Sequence, residues 1–353
     1  MSERTFKSDN HSGVHPEVMV ALAAVNFGHA PAYMNDPFTQ EATRQLRDHF
    51  GPDCEVLYCF NGTSANVLAL RACLRPYQSV LCASTSHLHQ NETGAPESIL
   101  GTKLVLLPHQ DGKIQAIQLR THLATTGNGI HSPQPKVVSI TQSTECGTCY
   151  TPEEIRAIKE VCVEHDLFLH MDGCRLYNAA AHLGCDLAET SNRAGVDILS
   201  LGGTKNGAMI AEAVLVFNPL LHEGLRYLQK NTLQLCSKNR FIAAQFTALF
   251  TNELWLRNAA HANGMATTLA GKLRGIPDVK LAHPVDTNQL FVQMPMSWCR
   301  ALEEKGYGYV FSHDPPTLRL VCSFDTEEAE MSELIQDIQA LASQPQPLKT
   351  TAT

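Results

Sequence analysis

The sequence predicts an α/β protein: a mostly parallel sheet flanked by helices in a large domain, followed by a smaller C-terminal α+β domain. Along most of the 353 residues, short apolar runs alternate with stretches of helical periodicity. Parallel sheets covered on both faces require that order. After Leu221 the helical pattern lengthens, and around Leu254 the order of elements changes. We predict an N-terminal arm (1–30), a large domain (31–253), a small domain (254–342) and a disordered tail (343–353).

Seven apolar runs have the length of buried strands and end at turn residues or helical stretches. In chain order they are Glu55–Phe60, Ser79–Ala83, Lys103–Leu107, Lys136–Thr141, Asp166–Met171, Val196–Leu201 and Ala213–Phe217. The clearest helix begins after Thr151, because Pro152 suits the first helical position and Glu154 completes a capping box. That helix should extend to about His165. An apolar helix over 241–250 could be buried in the core or at an interface.

Composition and charge exclude several classes of protein. The hydrophobic fraction of 44% and the charged fraction of 18% are typical of globular proteins. The net charge is −8 and no stretch is densely basic, which argues against nucleic-acid binding. No apolar run approaches the roughly 18 residues of a membrane span, and no signal peptide is visible. The twelve cysteines lie mostly in apolar segments, which indicates free thiols and a cytoplasmic protein.

Three polar clusters follow predicted strands, where the sites of open α/β sheets lie. The first is Asn61-Gly62-Thr63-Ser64. A glycine between a strand and a helix lets backbone N–H groups approach a phosphate, and the two hydroxyls add donors. The same residues also make an ordinary helix cap with a tight turn, so both interpretations stay open.

The second cluster places Asp172 directly after a buried strand. An acid in that position is costly unless a cation or hydrogen-bond donors meet it, and a protonated pyridine nitrogen would do so. A buried aspartate that caps the following turn is the alternative. The third cluster, Gly202-Gly203-Thr204-Lys205, sets a lysine among glycines beside an apolar strand. Such a lysine suits a Schiff base with a carbonyl cofactor, with Thr204 as a phosphate contact. The three clusters together predict pyridoxal 5'-phosphate (PLP).

With these motifs in this order, the sequence resembles the low-specificity threonine aldolases, from about Lys7 to Asp325. The matching segments are Lys7 to Asn10, Asn61 to Thr63, Ser86 to Glu92, Asp111 to Lys113, His170 to Asn178, Thr204 with Lys205, Thr287 with Asn288, and Leu318 to Val321. The resemblance implies fold type I of the PLP enzymes, with a seven-stranded sheet. It also implies cleavage of a β-hydroxy-α-amino acid to glycine and an aldehyde, in a homodimer or homotetramer with shared active sites.

The resemblance also implies roles for individual residues. Lys205 would be the Schiff-base lysine, Asp172 the partner of the pyridine nitrogen and His87 the ring that stacks on the cofactor. The implied phosphate ligands are Gly62, Thr63 and Arg240, and the motifs themselves add Ser64 and Thr204. The residues placed at the substrate carboxylate are Ser8, Arg175 and Arg319, since the forked donors of arginine match a carboxylate.

One segment departs from the family pattern. Where many members have a histidine that contacts the substrate hydroxyl, this chain has Glu145. The base that takes the β-hydroxyl proton could therefore be His87, His89, Glu145 or a water that they hold. We favour a histidine because the ordinary pKa of that residue type lies near working pH, whereas a glutamate pKa would have to rise. A purely stacking role for His87 is equally open.

The sequence is also compatible with two alternative functions. Another PLP lyase, a transaminase or a racemase would use the same cofactor residues. A dithiol redox protein would use Cys146 and Cys149, which form a C-x-x-C between a strand and a helix. No metal site is predicted, because the pair His87 and His89 has no third ligand at a suitable spacing.

Overall fold

The large sheet has seven strands in the computed structural model, which describes residues 6–125 and 129–344. They are β1 (Glu55–Cys59), β2 (Gln78–Ala83), β3 (Lys103–Leu107), β4 (Gln134–Thr141), β5 (Phe168–Gly173), β6 (Ile198–Gly202) and β7 (Glu212–Val216). Their spatial order is β1-β7-β6-β5-β4-β2-β3, and every pairing is parallel except those that β7 makes with β1 and β6. The predicted mostly parallel sheet is confirmed, with strand ends within two residues of the prediction.

Helices bury both faces of this sheet. Those before β8 are α1 (Pro16–Ala24), α2 (Pro37–Phe50), α3 (Gly62–Cys73), α4 (His87–Gln90), α5 (Ala95–Leu100), α6 (Ala116–Thr125), α7 (Pro152–Glu164), α8 (Leu176–Leu183), α9 (Leu225–Asn231), α10 (Arg240–Phe250) and α11 (Leu254–Leu273). In β1, Val56 and Tyr58 belong to one apolar core, while Leu57 and Cys59 belong to the core on the other face. That alternation is the period of a strand buried on two sides.

Two predicted helices are present. Helix α7 starts at Pro152, and Thr151 and Glu154 form the reciprocal capping box that the sequence predicts. Helix α10 buries Ile242, Phe246 and Leu249 in the core of the large sheet.

A second core lies under a four-stranded antiparallel sheet. Its strands are β8 (Lys280–Leu281), β9 (Gln289–Gln293), β10 (Tyr309–His313) and β11 (Pro316–Val321), in the order β10-β11-β9-β8. Helices α12 (Met296–Glu304) and α13 (Glu328–Ala342) complete it, together with Phe6. Helix α11 contributes Trp255 to the first core and Leu269 to the second, so the domain boundary at 254 stays a prediction. Residues 345–353 of the predicted tail lie outside the described residues.

Two further features concern the environment of the chain. All twelve cysteines are free, and nine of them are buried. Among the described helices, none has both the length and the apolar character needed to cross a bilayer.

Candidate active site

Lys205 lies in a short 3-10 turn (204–206) that directly follows β6. The two glycines before it let this loop pack closely on its neighbours. A Cβ atom at Gly202 would lie 2.9 Å from the Cα atom of Cys174, and one at Gly203 would lie 2.6 Å from the carbonyl oxygen of Ala211. A side chain at Gly202 would push the loop away from the segment after β5, and one at Gly203 would push it away from the segment before β7. The two glycines therefore keep the turn that carries Lys205 packed at the end of the sheet.

Asp172, near the end of β5, is a buried carboxylate. Its Oδ1 accepts a hydrogen bond from the backbone N–H of Cys174 at 3.1 Å, and its Oδ2 accepts one from Asn66 Nδ2 at 2.9 Å. Burial alone would raise the pKa of Asp172, but the charges of Lys205 and His87 and the Asn66 hydrogen bond lower it below its usual value. The site thus holds an ionised acid that is buried and faces the amine of Lys205.

The first turn of α3 supplies free backbone donors. Asn61 caps the helix by accepting the N–H of Ser64 at 2.9 Å. The first-turn amides of Gly62 and Thr63 have no acceptor within the helix and are oriented for an anion. The Asn61 cap therefore leaves the amides of Gly62 and Thr63 available, and both interpretations of this segment are compatible with the structure. One turn later the same helix carries Asn66, so α3 connects these donors to Asp172.

His87, the first residue of α4, is held by two buried carboxyl groups. Its ring Nδ1 lies 3.0 Å from Glu92 Oε1, and its backbone N–H donates to Glu145 Oε1 at 2.7 Å. Glu92 Oε1 also accepts from Asn66 Nδ2 at 2.8 Å, so Asn66 bridges Glu92 and Asp172. His87 is thereby tied into the same hydrogen-bond network as the buried acid of β5.

Glu145 lies in this network, although its side chain turns toward the start of α4. Burial raises its pKa to about 7, against hydrogen bonds from the His87 backbone, its own backbone and Thr141 Oγ1. Oε1 acts as the helix cap, while Oε2 is buried and has no hydrogen-bond partner among the described residues. His89 is exposed, because residues two apart on a helix point in different directions. Within the described chain, its ring makes no hydrogen bond to Glu92, Glu145 or Asp172.

The forked donors of Arg175 are occupied by a protein carboxylate. At the start of α8, its Nε and Nη2 donate to the two oxygens of Asp9 at 2.8 and 2.9 Å. Asn288 donates to the same acid at 3.1 Å. Burial would raise the pKa of Asp9, but Arg175 lowers it to about 2. A bidentate bond between Arg175 and a substrate carboxylate would therefore require the loss of Asp9. The remaining nitrogen, Nη1, makes no bond to Asp9 and donates to the Cys174 sulfur in a long contact of 4.0 Å.

Arg319, on β11, has neutral partners. Its Nη2 donates to Gln289 Oε1 at 2.6 Å and its Nη1 to the carbonyl oxygen of Lys7 at 3.3 Å. Burial, followed by the charge of Arg175, lowers the pKa of Arg319, so the two guanidinium groups are close neighbours. Ser8 precedes Asp9 and caps its 3-10 turn. Two arginines with one carboxylate between them leave net positive charge at this end of the site.

Three of the predicted phosphate ligands have other partners. Ser64 donates twice to Asn61, from its N–H to Oδ1 at 2.9 Å and from its hydroxyl to the backbone oxygen at 2.8 Å. The guanidinium of Arg240, at the start of α10, donates to the carbonyl oxygen of Phe27 at 3.2 Å and lies over the ring of Phe241. The backbone N–H of Thr204 donates to Glu212 Oε1 at 3.3 Å. Burial raises the pKa of Glu212 to about 7.

Sequence reasoning missed five polar residues that build this region: Asp9, Asn66, Glu92, Glu212 and Asn288. One signal was readable for Asn66, which interrupts an otherwise apolar helix face and is buried. Asp9, Glu92 and Asn288 lie in segments that carry the family resemblance, but their residue types alone do not indicate a role, and Glu212 has no distinguishing local pattern.

The described residues do not favour a reactive dithiol at Cys146 and Cys149 or a metal site. Burial raises the pKa of Cys146 to about 12 and that of Cys149 well above its usual value, so neither thiol is disposed to ionise. Over residues 6–125 and 129–344, no group of three or more His, Cys, Asp or Glu side chains could hold a metal ion.

Comparison with known proteins gives a consistent result. Residues 5–297 match the model of the family described as beta-eliminating lyase. The low-specificity L-threonine aldolase of a Pseudomonas species is 44% identical over 96% of this chain and 98% of its own length. That of Pseudomonas aeruginosa is also 44% identical, over 94% and 96%. The solved threonine aldolase of Leishmania major superposes with a TM-score of 0.90 at 30% identity, over 96% and 99% of the two chains. A Thermus thermophilus aspartate aminotransferase, 16% identical with a TM-score of 0.71, shares the fold.

Proposed function

The chain belongs to the β-eliminating lyase family and to its low-specificity threonine aldolases, and we propose that the residues around Lys205 bind PLP and cleave β-hydroxy-α-amino acids. The enzyme is thus a carbon–carbon lyase that releases glycine and an aldehyde from threonine-type substrates. The observation that carries the proposal for this site is the buried, ionised Asp172 within electrostatic reach of the Lys205 amine.

The residues at the site fit PLP. Asp172 is a buried anion whose pKa is lowered by the charges of Lys205 and His87, and a protonated pyridine nitrogen would give it a direct partner. Gly62 and Thr63 would hold the phosphate at the start of α3, with Thr204 beside them. Ser64 would have to turn its hydroxyl away from the Asn61 carbonyl to join them. Arg240 would have to exchange its bond to the Phe27 carbonyl for one to the phosphate. When bound through Lys205, PLP supplies the electron sink for the electron pair of the broken Cα–Cβ bond.

The chain's own groups orient the substrate and move its proton. We assign the substrate carboxylate to Arg319 and to Nη1 of Arg175, with Ser8 beside them. Nη1 would exchange its long contact with the Cys174 sulfur for the carboxylate. We assign the β-hydroxyl proton to His87, because its side chain is 38% exposed and can reach a ligand. Glu145 uses one carboxyl oxygen as a helix cap and has the other buried. Burial raises its pKa to about 7, but its oxygens face the His87 backbone and the protein interior, so we assign it no proton transfer with the substrate.

A direct assay tests this proposal. Purified protein supplied with PLP is incubated with threonine, allo-threonine and phenylserine, and with alanine as a control that lacks the β-hydroxyl group. We expect glycine and aldehyde in equal amounts from at least one β-hydroxy amino acid and none from alanine. Release of ammonia with a keto acid would identify β-elimination, and a keto acid with aminated cofactor would identify transamination. No glycine from any substrate would contradict the proposal.

Arg319→Gln is expected to raise KM for threonine by about 10- to 100-fold, the worth of a charge-assisted hydrogen bond, with a smaller change in kcat. The reason is that Asp9 already balances the charge of Arg175, whereas the partners of Arg319 are neutral. Steady-state kinetics measure the effect. Arg300→Gln, an exposed arginine on α12, is the matched control. Equal KM values for the two variants would place the carboxylate elsewhere.

We also propose a cytoplasmic homo-oligomer. The free cysteines support a reducing compartment. Support for the oligomer comes from an apolar cleft of about 570 Å³ lined by Met19, Phe60, Met209, Ile210 and Phe241. Met209 and Ile210 follow Lys205 by only a few residues, so a second copy seated there would adjoin the site. Sedimentation of the purified enzyme distinguishes a dimer from a tetramer.

A further inference from the structure

We infer that Glu92 is a positioning residue that fixes the ring of His87 and supplies its counter-charge, which leaves His87 Nε2 as the nitrogen that accepts the substrate hydroxyl proton. The inference rests on the proposed function, and it assigns the roles of the two partners in the His87–Glu92 pair. Sequence reasoning gave Glu92 no role.

The position of Glu92 is unusual for a charged residue. Its side chain is fully buried, with 0% of its surface exposed, and the titratable group that faces it is the ring of His87, at 3.0 Å. Its Oε1 accepts two hydrogen bonds, from His87 Nδ1 and from Asn66 Nδ2. Buried carboxylates are costly unless paired, so a glutamate at this position suits a ring that becomes charged when it takes up a proton.

The hydrogen-bond chemistry fixes the tautomer of His87. An ionised carboxylate can only accept hydrogen bonds, so the hydrogen of a neutral His87 ring must lie on Nδ1, toward Glu92. The lone pair then lies on Nε2, on the side of the ring away from Glu92. When Nε2 takes up a proton, the ring becomes a cation whose charge Glu92 compensates. This is the arrangement in which a carboxylate orients a histidine base.

Asn66 extends the network to the opposite side of the site. Its Nδ2 carries two hydrogens and has two carboxylate acceptors, Glu92 Oε1 at 2.8 Å and Asp172 Oδ2 at 2.9 Å. One amide therefore sets the separation of the two acids. A single side chain on α3 therefore fixes the position of Glu92, and through it the ring of His87, relative to Asp172.

The other titratable groups around His87 are also accounted for. Asp172 faces it from β5, and Lys205 faces Asp172 from the turn after β6. Glu145, in the loop after β4, contacts the His87 backbone rather than its ring. His170 lies deeper on β5, between Ser139 and Ser200. Of these groups, Glu92 alone is within hydrogen-bonding distance of the ring in the part of the chain that the structure describes.

Glu92→Gln tests the inference, because glutamine keeps the length and one acceptor oxygen while it removes the charge. We expect the acid limb of the pH profile of kcat/KM to move to lower pH by roughly one unit, because an imidazolium loses its neighbouring anion. We also expect kcat to fall by about 10-fold or more on the plateau. The absorbance of the bound cofactor should persist. Glu97→Gln, on the neighbouring helix α5, is the control and should leave the profile unchanged.

A double-variant cycle separates positioning from a general structural role. If Glu92 acts through His87, Glu92→Gln should add nothing to the loss that His87→Asn causes on its own. Additive losses, or a fall in kcat with an unmoved acid limb, would overturn the inference. Glu92→Asp keeps the anion, and its acid limb should stay in place even if stability or kcat decreases. A shifted limb there would also overturn it. Failure of the proposed function would appear differently, as a wild-type enzyme that releases no glycine.

Discussion

Lys205→Ala is expected to lower glycine release by at least about 10³-fold and to remove the absorbance band of a lysine-bound cofactor. Alanine has no amine to bind the aldehyde carbon of PLP. The 3-10 turn that carries Lys205 is packed closely through Gly202 and Gly203 and should keep its conformation in the variant. The measurements are an absorbance spectrum of the purified variant and the rate of glycine formation from threonine.

The matched control for this change is Lys272→Ala, an exposed lysine in the last turn of α11. It should keep both the spectrum and the rate of the wild type. Addition of a small primary amine to Lys205→Ala should restore part of the rate, because a free amine can replace the missing side chain in transferring the cofactor. A Lys205→Ala enzyme with the wild-type spectrum and rate would show that the cofactor is bound at a different lysine.

The fold was largely predictable because its signals are local. Strand runs and the Thr151–Glu154 capping box depend on residues within a few positions of one another, and the structure has them. The direction of β7 was not predicted. Between Gly202 and Glu212 there are only nine residues, which is too few for a crossover helix and leaves room for an antiparallel return. The length of the segment between β6 and β7 is thus the feature of the sequence that indicates the direction of β7.

The site was predictable only in part. Asp172 and Lys205 follow buried strands, and neighbouring parallel strands bring such ends together. The partners that set their charges come from distant segments: Asp9 lies 166 positions from Arg175, and Asn66 lies 106 from Asp172. No local pattern marks such pairs. As a result, the sequence suggests a free bidentate arginine at 175 where the structure has one that is already paired.

The two histidines of the His87-Leu88-His89 segment illustrate the same limit. As a sequence they form a symmetric pair, and either could be the base. Helix geometry separates them, since His87 begins α4 beside Glu92 while His89 is exposed. The choice between them depends on a buried acid five residues away, whose side chain turns back only once the chain is folded.

Asp172→Asn is expected to lower kcat by about 10²- to 10³-fold with little change in KM, because the variant keeps the shape of the acid and loses its charge. Without the anion, the pyridine nitrogen has no group that holds its proton, and the electron pair of the broken bond has a poorer acceptor. The substrate carboxylate contacts at Arg319 are untouched. Steady-state kinetics with threonine measure both constants.

The hydrogen bonds of Asp172 add a second, smaller effect. Two donors face its carboxylate, the N–H of Cys174 and Nδ2 of Asn66, and an asparagine can accept only one of them with its oxygen. Asn66 could turn its amide to present Oδ1, but Glu92 would then lose its donor. Asp197→Asn is the control for such losses, since Asp197 is also buried in the large sheet and bonded to Lys159 and the Leu169 backbone.

The control separates charge from packing. Asp197 immediately precedes β6, at the end of that strand opposite to Lys205. Asp197→Asn should therefore reduce the stability of the fold, while the folded fraction keeps the wild-type kcat. Asp172→Asn should do the reverse, because the loss at that position falls on the reaction. If both variants lost only stability and kept kcat within a few-fold, the buried acid at 172 would be a structural ion partner of Lys205. The assignment of the pyridine nitrogen to it would then fail.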